Sequence, residues 1–339
     1  MEEALWYAFV VMKAPRWIWT VGGGLALGIC IGWSVAAIFS PSSLTSGGKQ
    51  VRQNEGQYTN PLLECDVAAG SIDAQKQNFD TELEKYAAAA EQNAGVEKIG
   101  VYFRDMNNGP AFGYNEDTPF IPASLLKLPV MMAYYKKAES DPGVLDEKVT
   151  VPASVESADI QQLVPPAERI TVGSVHTVED LITRMVTYSD NQSLIALFDS
   201  IPSDELAHLY SLLGMSTDVI SDPSASLTVK QYSSFFRILF NASFLTQAYS
   251  EKALGHLTNS AFTQALRSGV PEPVPVAHKF GERTIEGSQQ LHDCGIVYYP
   301  KHPYLLCVMT RGNDIAVLEK TIADISKFVY EKIDAQYSL

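Results

Sequence analysis

Strand-like and helix-like stretches are unevenly placed along this chain, and that placement most narrows the folds open to it. KIGVYFRDM (98–106) and AFGYNED (111–117) flank NNGP, a turn signature between two strands. Strand character then returns only near the far end, in PVPVAHKF (273–280), DCGIVYY (293–299) and PYLLCVMT (303–310). Between them, from Ser124 to about residue 266, the apolar spacing is helical, in SLLKLPVMMAYYKKAE, TVEDLITRMVTYSDNQSLIALFDSI, SDELAHLYSLLG and TVKQYSSFFRILFNAS. Helical character also begins near Phe79, and Ile315, Leu318, Ile322, Ile325, Val329 and Ile333 mark an amphipathic helix at the end. The pattern predicts an α/β (α+β) domain over 78–339. A mixed sheet fed from both ends and flanked by helices would carry an all-helical subdomain at about 124–266, with a cleft at their junction.

The first part of the chain differs. From Trp17 to Phe39 run 23 residues without a charged side chain. As a helix rising about 1.5 Å per residue they span about 35 Å, enough to cross a bilayer core. Lys13 and Arg16 precede this run and no basic residue follows until Lys49, so a cytoplasmic 1–16, a transmembrane helix 17–39 and an exported remainder are expected. A cleaved signal peptide is the rival, but its apolar core would run about 7–15 residues, and SVAAIFSPS offers a poor cleavage site. Gly24, Gly28 and Gly32 suit close helix packing in a membrane or are merely tolerated there. Residues 40–77, opening with SPSSLTSGGKQVRQNEGQ, read as a flexible tether.

A net charge of −14 with no basic stripe excludes nucleic acid as a partner. Cys30 lies in the expected span, while Cys65, Cys294 and Cys307 lie where disulfides are permitted. A hairpin turning near Lys301 and His302 sets Cys294 and Cys307 diagonally, which leaves a bridge between them open but disfavoured, and Cys65 can pair with either. The six histidines show no metal-ligand spacing, no Gly-x-Ser-x-Gly occurs, and nothing suggests a cofactor. No oligomeric state is indicated.

Three short motifs carry chemistry. Ser124 and Lys127, at the start of an apolar helix, are three residues apart and share a face, so the amine can reach the hydroxyl. The same spacing at Ser46 and Lys49 sits in the tether, so spacing alone decides nothing. Ser189-Asp190-Asn191 interrupts an apolar helical run. It reads both as a helix-capping join and as a turn aiming Ser189 and Asn191 into the cleft. Lys279-Phe280-Gly281 ends the strand PVPVAHKF. Gly281 would let a substrate backbone approach, and the N–H of Glu282 would join that of Ser124 as an oxyanion hole.

In this order and context the three resemble the signature of penicillin-recognising serine enzymes, most of all the class A β-lactamase family. The resemblance covers about residues 78–335. It implies the β-lactamase/transpeptidase-like fold, Ser124 as the acylated nucleophile and Lys127 as its activating partner. Ser189 would be the proton relay, with Asn191 and Lys279 as positioning and electrostatic groups. Two departures stand out. The family carries a water-activating glutamate in a Glu-x-x-Leu-Asn loop between the second and third motifs, whereas GMSTDVISDPSASLTVKQYSSFF holds only Asp218 and Asp222. Phe280 replaces a hydroxyl that binds the substrate carboxylate, leaving Lys279, Arg283 or His278 for that task. Three readings follow: a membrane-anchored serine hydrolase attacking a β-lactam or related amide; a D,D-peptidase or penicillin-binding enzyme with slow deacylation on a peptidoglycan stem peptide; and a non-catalytic peptidoglycan-binding module.

Overall fold

The computed structural model describes residues 56–60, 72–107, 109–158, 162–166, 168–218, 222, 225–285 and 287–338. The segment 1–16, the span 17–39, most of the tether, Cys30 and Cys65 lie outside them. Among the described residues no helix is long and apolar enough to cross a membrane.

The chain runs through α1 (Ile72–Ala90), β1 (Val96–Asp105), β2 (Ala111–Tyr114), β3 (Pro119–Phe120), a 3₁₀ turn (Ala123–Leu126) and α2 (Lys127–Ser140). There follow β4 (Lys148–Thr150), β5 (Val175–Thr177), α3 (Val178–Thr187), α4 (Asn191–Leu197), α5 (Ser203–Leu212), β6 (Leu227–Thr228), α6 (Val229–Phe240), α7 (Gln247–Thr258) and α8 (Ala265–Ser268). Then come β7 (Val276–Ile285), β8 (Ser288–Val297), β9 (Tyr304–Gly312) and α9 (Ile315–Tyr337).

Five strands form one sheet in the order β2-β1-β9-β8-β7. It draws on both ends of the domain, and its four pairings are antiparallel. Because side chains alternate along a strand, a strand buried on both faces can be apolar throughout. In β9, Leu305, Cys307 and Met309 face one core while Tyr304, Leu306 and Val308 face the other. The first core is shared with the helical insert, through α2, α3, α6 and α7; the second is covered by α1, α8 and α9. Each large apolar side chain so buried contributes roughly 1.5–3 kcal/mol.

Three expectations change. Cys294 and Cys307 are direct cross-strand partners and form a disulfide with Cα atoms 3.9 Å apart. The hairpin register is centred between Pro300 and Lys301, about one residue earlier than expected, and that shift turns a diagonal pair into a facing one. Strand β7 does not end at Phe280 but continues to Ile285, each added residue finding a partner on β8. Helix α1 starts at Ile72, inside the expected tether.

Residues 56–60, also within that tether, are docked on the domain. Glu251 of α7 accepts the backbone N–H groups of Tyr58 (2.6 Å) and Thr59 (2.9 Å), and the Asn60 N–H donates to the Phe240 carbonyl (2.6 Å). The Tyr298 hydroxyl donates to the Tyr58 carbonyl, the two rings pack 5.3 Å apart, and Thr59 is 3% exposed.

Candidate active site

The nucleophile candidate sits on a turn that several elements brace. Ala123, just before Ser124, has φ +51°, a left-handed conformation costing about 1 kcal/mol or more for a non-glycine residue, so the surroundings must enforce it. Leu125 is fully buried, and its carbonyl accepts the Tyr232 hydroxyl of α6 at 3.0 Å. Upstream, the Ile121 carbonyl accepts His292 Nε2–H at 2.9 Å while His292 Nδ1 accepts the Thr310 N–H, which fixes a neutral ring. Burial lowers His292 to about 4, in keeping with that tautomer. Gly281 of β7 lies against the turn, where a Cβ would come 2.9 Å from the Leu125 nitrogen and 3.0 Å from the Pro122 carbonyl. The first duty of that glycine is to seat the nucleophile's turn, which differs from the expected role of admitting substrate backbone.

The structure brings Ser124, Lys127, Ser189, Asn191 and Lys279 together. Lys127 Nζ lies 3.1 Å from Ser124 Oγ, 2.6 Å from Asn191 Oδ1, and 2.5 and 3.2 Å from the carbonyl and Oγ of Ser189. Lys279 Nζ donates to Ser189 Oγ (3.0 Å) and to the Phe280 carbonyl (2.7 Å). One hydroxyl therefore stands between two amines. Both lysines are withdrawn from water, at 2% and 0% exposure, and a buried ammonium loses hydration. Burial brings Lys127 down to about 7, against the opposing pull of Asp190 and Glu282. Lys279 falls well below the usual lysine range, through burial first and the neighbouring Lys127 second. Near neutrality a free amine can thus take the Ser124 proton.

The local sequence explains how the turn at 189–191 is held. Asp190 caps α4, accepting from the N–H groups of Gln192 (3.1 Å) and Ser193 (3.2 Å) and from Ser193 Oγ. The capping reading holds, and Ser189 with φ +56° turns the chain so that its own side chain meets both lysines.

Phe280 is fully buried, stacked 4.2 Å from Phe262, with Lys279 Nζ 4.3 Å from its ring centroid. Its ring is covered, so substrate does not touch it. His278 is also withdrawn as an anion binder, because it pairs at 2.9 Å with the fully buried Asp293, which also accepts the Leu266 N–H. Glu282 Oε1 accepts the Leu163 N–H at 2.6 Å, and burial is the main cause of a raised carboxyl pKa. The preceding residue, Gln162, donates from its side chain to the Ser189 carbonyl at 2.8 Å. This short strap from the helical insert was not apparent in the sequence, since nothing in QQLVPP marks it. Tyr232, Gln290, His292 and Phe262 were likewise missed as supports; Gln290 Oε1 accepts the Ile121 N–H at 3.2 Å. In the loop that holds a glutamate in the resembling family, Asp218 and Asp222 are exposed, and Asp218 bonds Ser216 within its own turn. Among the described residues no cluster of side chains could hold a metal ion.

The beta-lactamase enzyme family matches residues 79–333. Among solved structures, PBP-A superposes with a TM-score of 0.64 at 19% identity, covering 75% of this chain and 97% of that one. A beta-lactamase from Xanthomonas campestris gives 0.64 at 20% identity, covering 75% and 98%. TLA-3 extended-spectrum beta-lactamase gives 0.66 at 18%, covering 75% and 99%. A mutant of PBP-A, solved as an acyl-enzyme complex with penicillin G, gives 0.63 at 18%, covering 75% and 97%. At such identities these likenesses speak for the fold. No curated protein matches the chain.

Proposed function

Because the chain belongs to the beta-lactamase enzyme family and is a serine β-lactamase-like hydrolase, we propose that Ser124 is acylated by a β-lactam or a related amide and that the ester so formed is hydrolysed slowly. The observation that carries this is the convergence of Ser124, Lys127, Ser189, Asn191 and Lys279, with Lys127 Nζ 3.1 Å from Ser124 Oγ. Lys127 removes the Ser124 proton as Oγ bonds to the carbonyl carbon. The N–H groups of Ser124 and Glu282 receive the oxyanion. As the C–N bond breaks, Ser189 Oγ passes a proton to the leaving nitrogen and recovers one from Lys127, with Lys279 holding the hydroxyl in line and Asn191 holding Lys127.

Hydrolysis of the ester needs a base for the incoming water. General-base help is worth about 10²–10⁴-fold, and the loop that would supply a glutamate offers only exposed Asp218 and Asp222. A long-lived acyl-enzyme follows. Intact mass after exposure to penicillin tests both steps: a stable adduct on the native chain, absent in Ser124→Ala, is expected. No adduct on either protein with penicillin or with its methyl ester, and no consumption of either, would refute the proposal. We further propose that residues 17–39 anchor the chain in a membrane with the domain exported, supported by the uncharged run and by a disulfide suited to an oxidising compartment.

A further inference from the structure

Consecutive residues of the strap touch opposite walls of the cleft, Gln162 at the Ser189 carbonyl and Leu163 at Glu282. The Glu282 carboxylate lies beside the strap, close enough for the charges of Lys127 and Lys279 to act on it. It is the first acidic side chain on β7 beyond the lysine, and among the described residues its Oε2 receives no hydrogen bond.

The groups that would offset that charge toward an incoming anion are committed elsewhere. Lys279 points two hydrogens at Ser189 Oγ and the Phe280 carbonyl, and its ammonium lies over the Phe280 ring. Position 280 presents a covered ring with no donor. His278 is paired with buried Asp293, and Arg283 already has a partner. On the premise that Ser124 is the acylated residue, we infer that the acyl donor carries no carboxylate beside its scissile amide. The group lying along β7 is uncharged or cationic, and Glu282 selects it by repelling anions. Discrimination by an unfavourable charge needs no new favourable contact.

Benzylpenicillin and its methyl ester differ at that carboxylate alone. With the full chain, Ser124 acylation followed by intact mass should be at least about tenfold faster with the ester. Glu282→Gln keeps an oxygen for the Leu163 N–H and removes only the charge. It should narrow the gap between acid and ester from about tenfold to about twofold, chiefly by speeding the acid. Equal rates for acid and ester on the native chain, or an ester-to-acid ratio that Glu282→Gln leaves unchanged, would overturn the inference. Ligand-observed NMR on Ser124→Ala reads the preference without a covalent step. Tighter binding of the ester there, with no acylation of the native chain, would sink acylation at Ser124 and support the selectivity. Equal or tighter binding of the acid, or no binding of the ester, sinks the selectivity whatever happens at Ser124.

Discussion

At Lys127 four oxygen acceptors from three residues surround one amine from which water has been excluded. The sign of its pH effect follows directly. With the amine brought to about 7, the form able to accept a proton is scarce below that pH and dominant above it. Acylation of Ser124 should therefore rise with pH through about 7 and level off above, as read from adduct formation rates across buffers. Lys127→Ala should lower the rate by about 10²–10⁴-fold and flatten that profile. Because Ser189 Oγ touches both amines, the midpoint belongs to the lysine pair more than to either member. Ser124 and Lys127 were legible in the sequence because the chemistry demands one helical face, and the identical spacing at Ser46 was set aside by its polar surroundings. The bond from Leu163 to Glu282 was not legible, since a backbone donor 119 positions away leaves no mark on residue type.

Among the elements, the hairpin of β8 and β9 ties the sheet beneath the nucleophile. Its disulfide joins residues 13 apart and is fully buried. Closing a loop of about 15 residues restricts the unfolded chain by about 3 kcal/mol. Replacing both Cys294 and Cys307 by Ala should lower stability by about that much in urea unfolding, with the native fold retained. An unchanged midpoint would show that the bridge does not constrain the unfolded chain. The hairpin itself was apparent from its apolar runs, but its register was not: a one-residue shift in the turn centre decides whether two cysteines face each other. Strand β7 was read too short for a related reason. ERT (282–284) is polar and follows a glycine, so local propensity argues for an end, and pairing along β8 overrides it. The amphipathic α9 was readable in full, because Leu318, Ile322, Ile325, Val329 and Ile333 all pack into the core behind the sheet.

For the whole molecule, the partition into a two-ended sheet and a helical insert was visible in where strand-like runs begin and stop. The docking of residues 56–60 was not, because Glu251 takes the backbone N–H groups of Tyr58 and Thr59 across 192 and 193 positions of sequence. Hydrogen bonds to a charged acceptor contribute about 1.5–3 kcal/mol each. Glu251→Ala should accordingly speed hydrogen exchange at those two amides by at least about tenfold while Ser124 acylation stays within about twofold. Unaltered exchange would mean that the segment is held by its other contacts, the Tyr58–Tyr298 packing and the hydrogen bonds to Phe240 and Tyr298. At the far side of the sheet, β7 is the outermost strand. A strand edge does not distinguish a substrate backbone from the same edge of another copy, and long uncharged edges are where chains zip into aggregates. Glu282 and Arg283 are adjacent charged residues on that strand. Variants that strip both charges in pursuit of new substrates should be checked first for concentration-dependent precipitation.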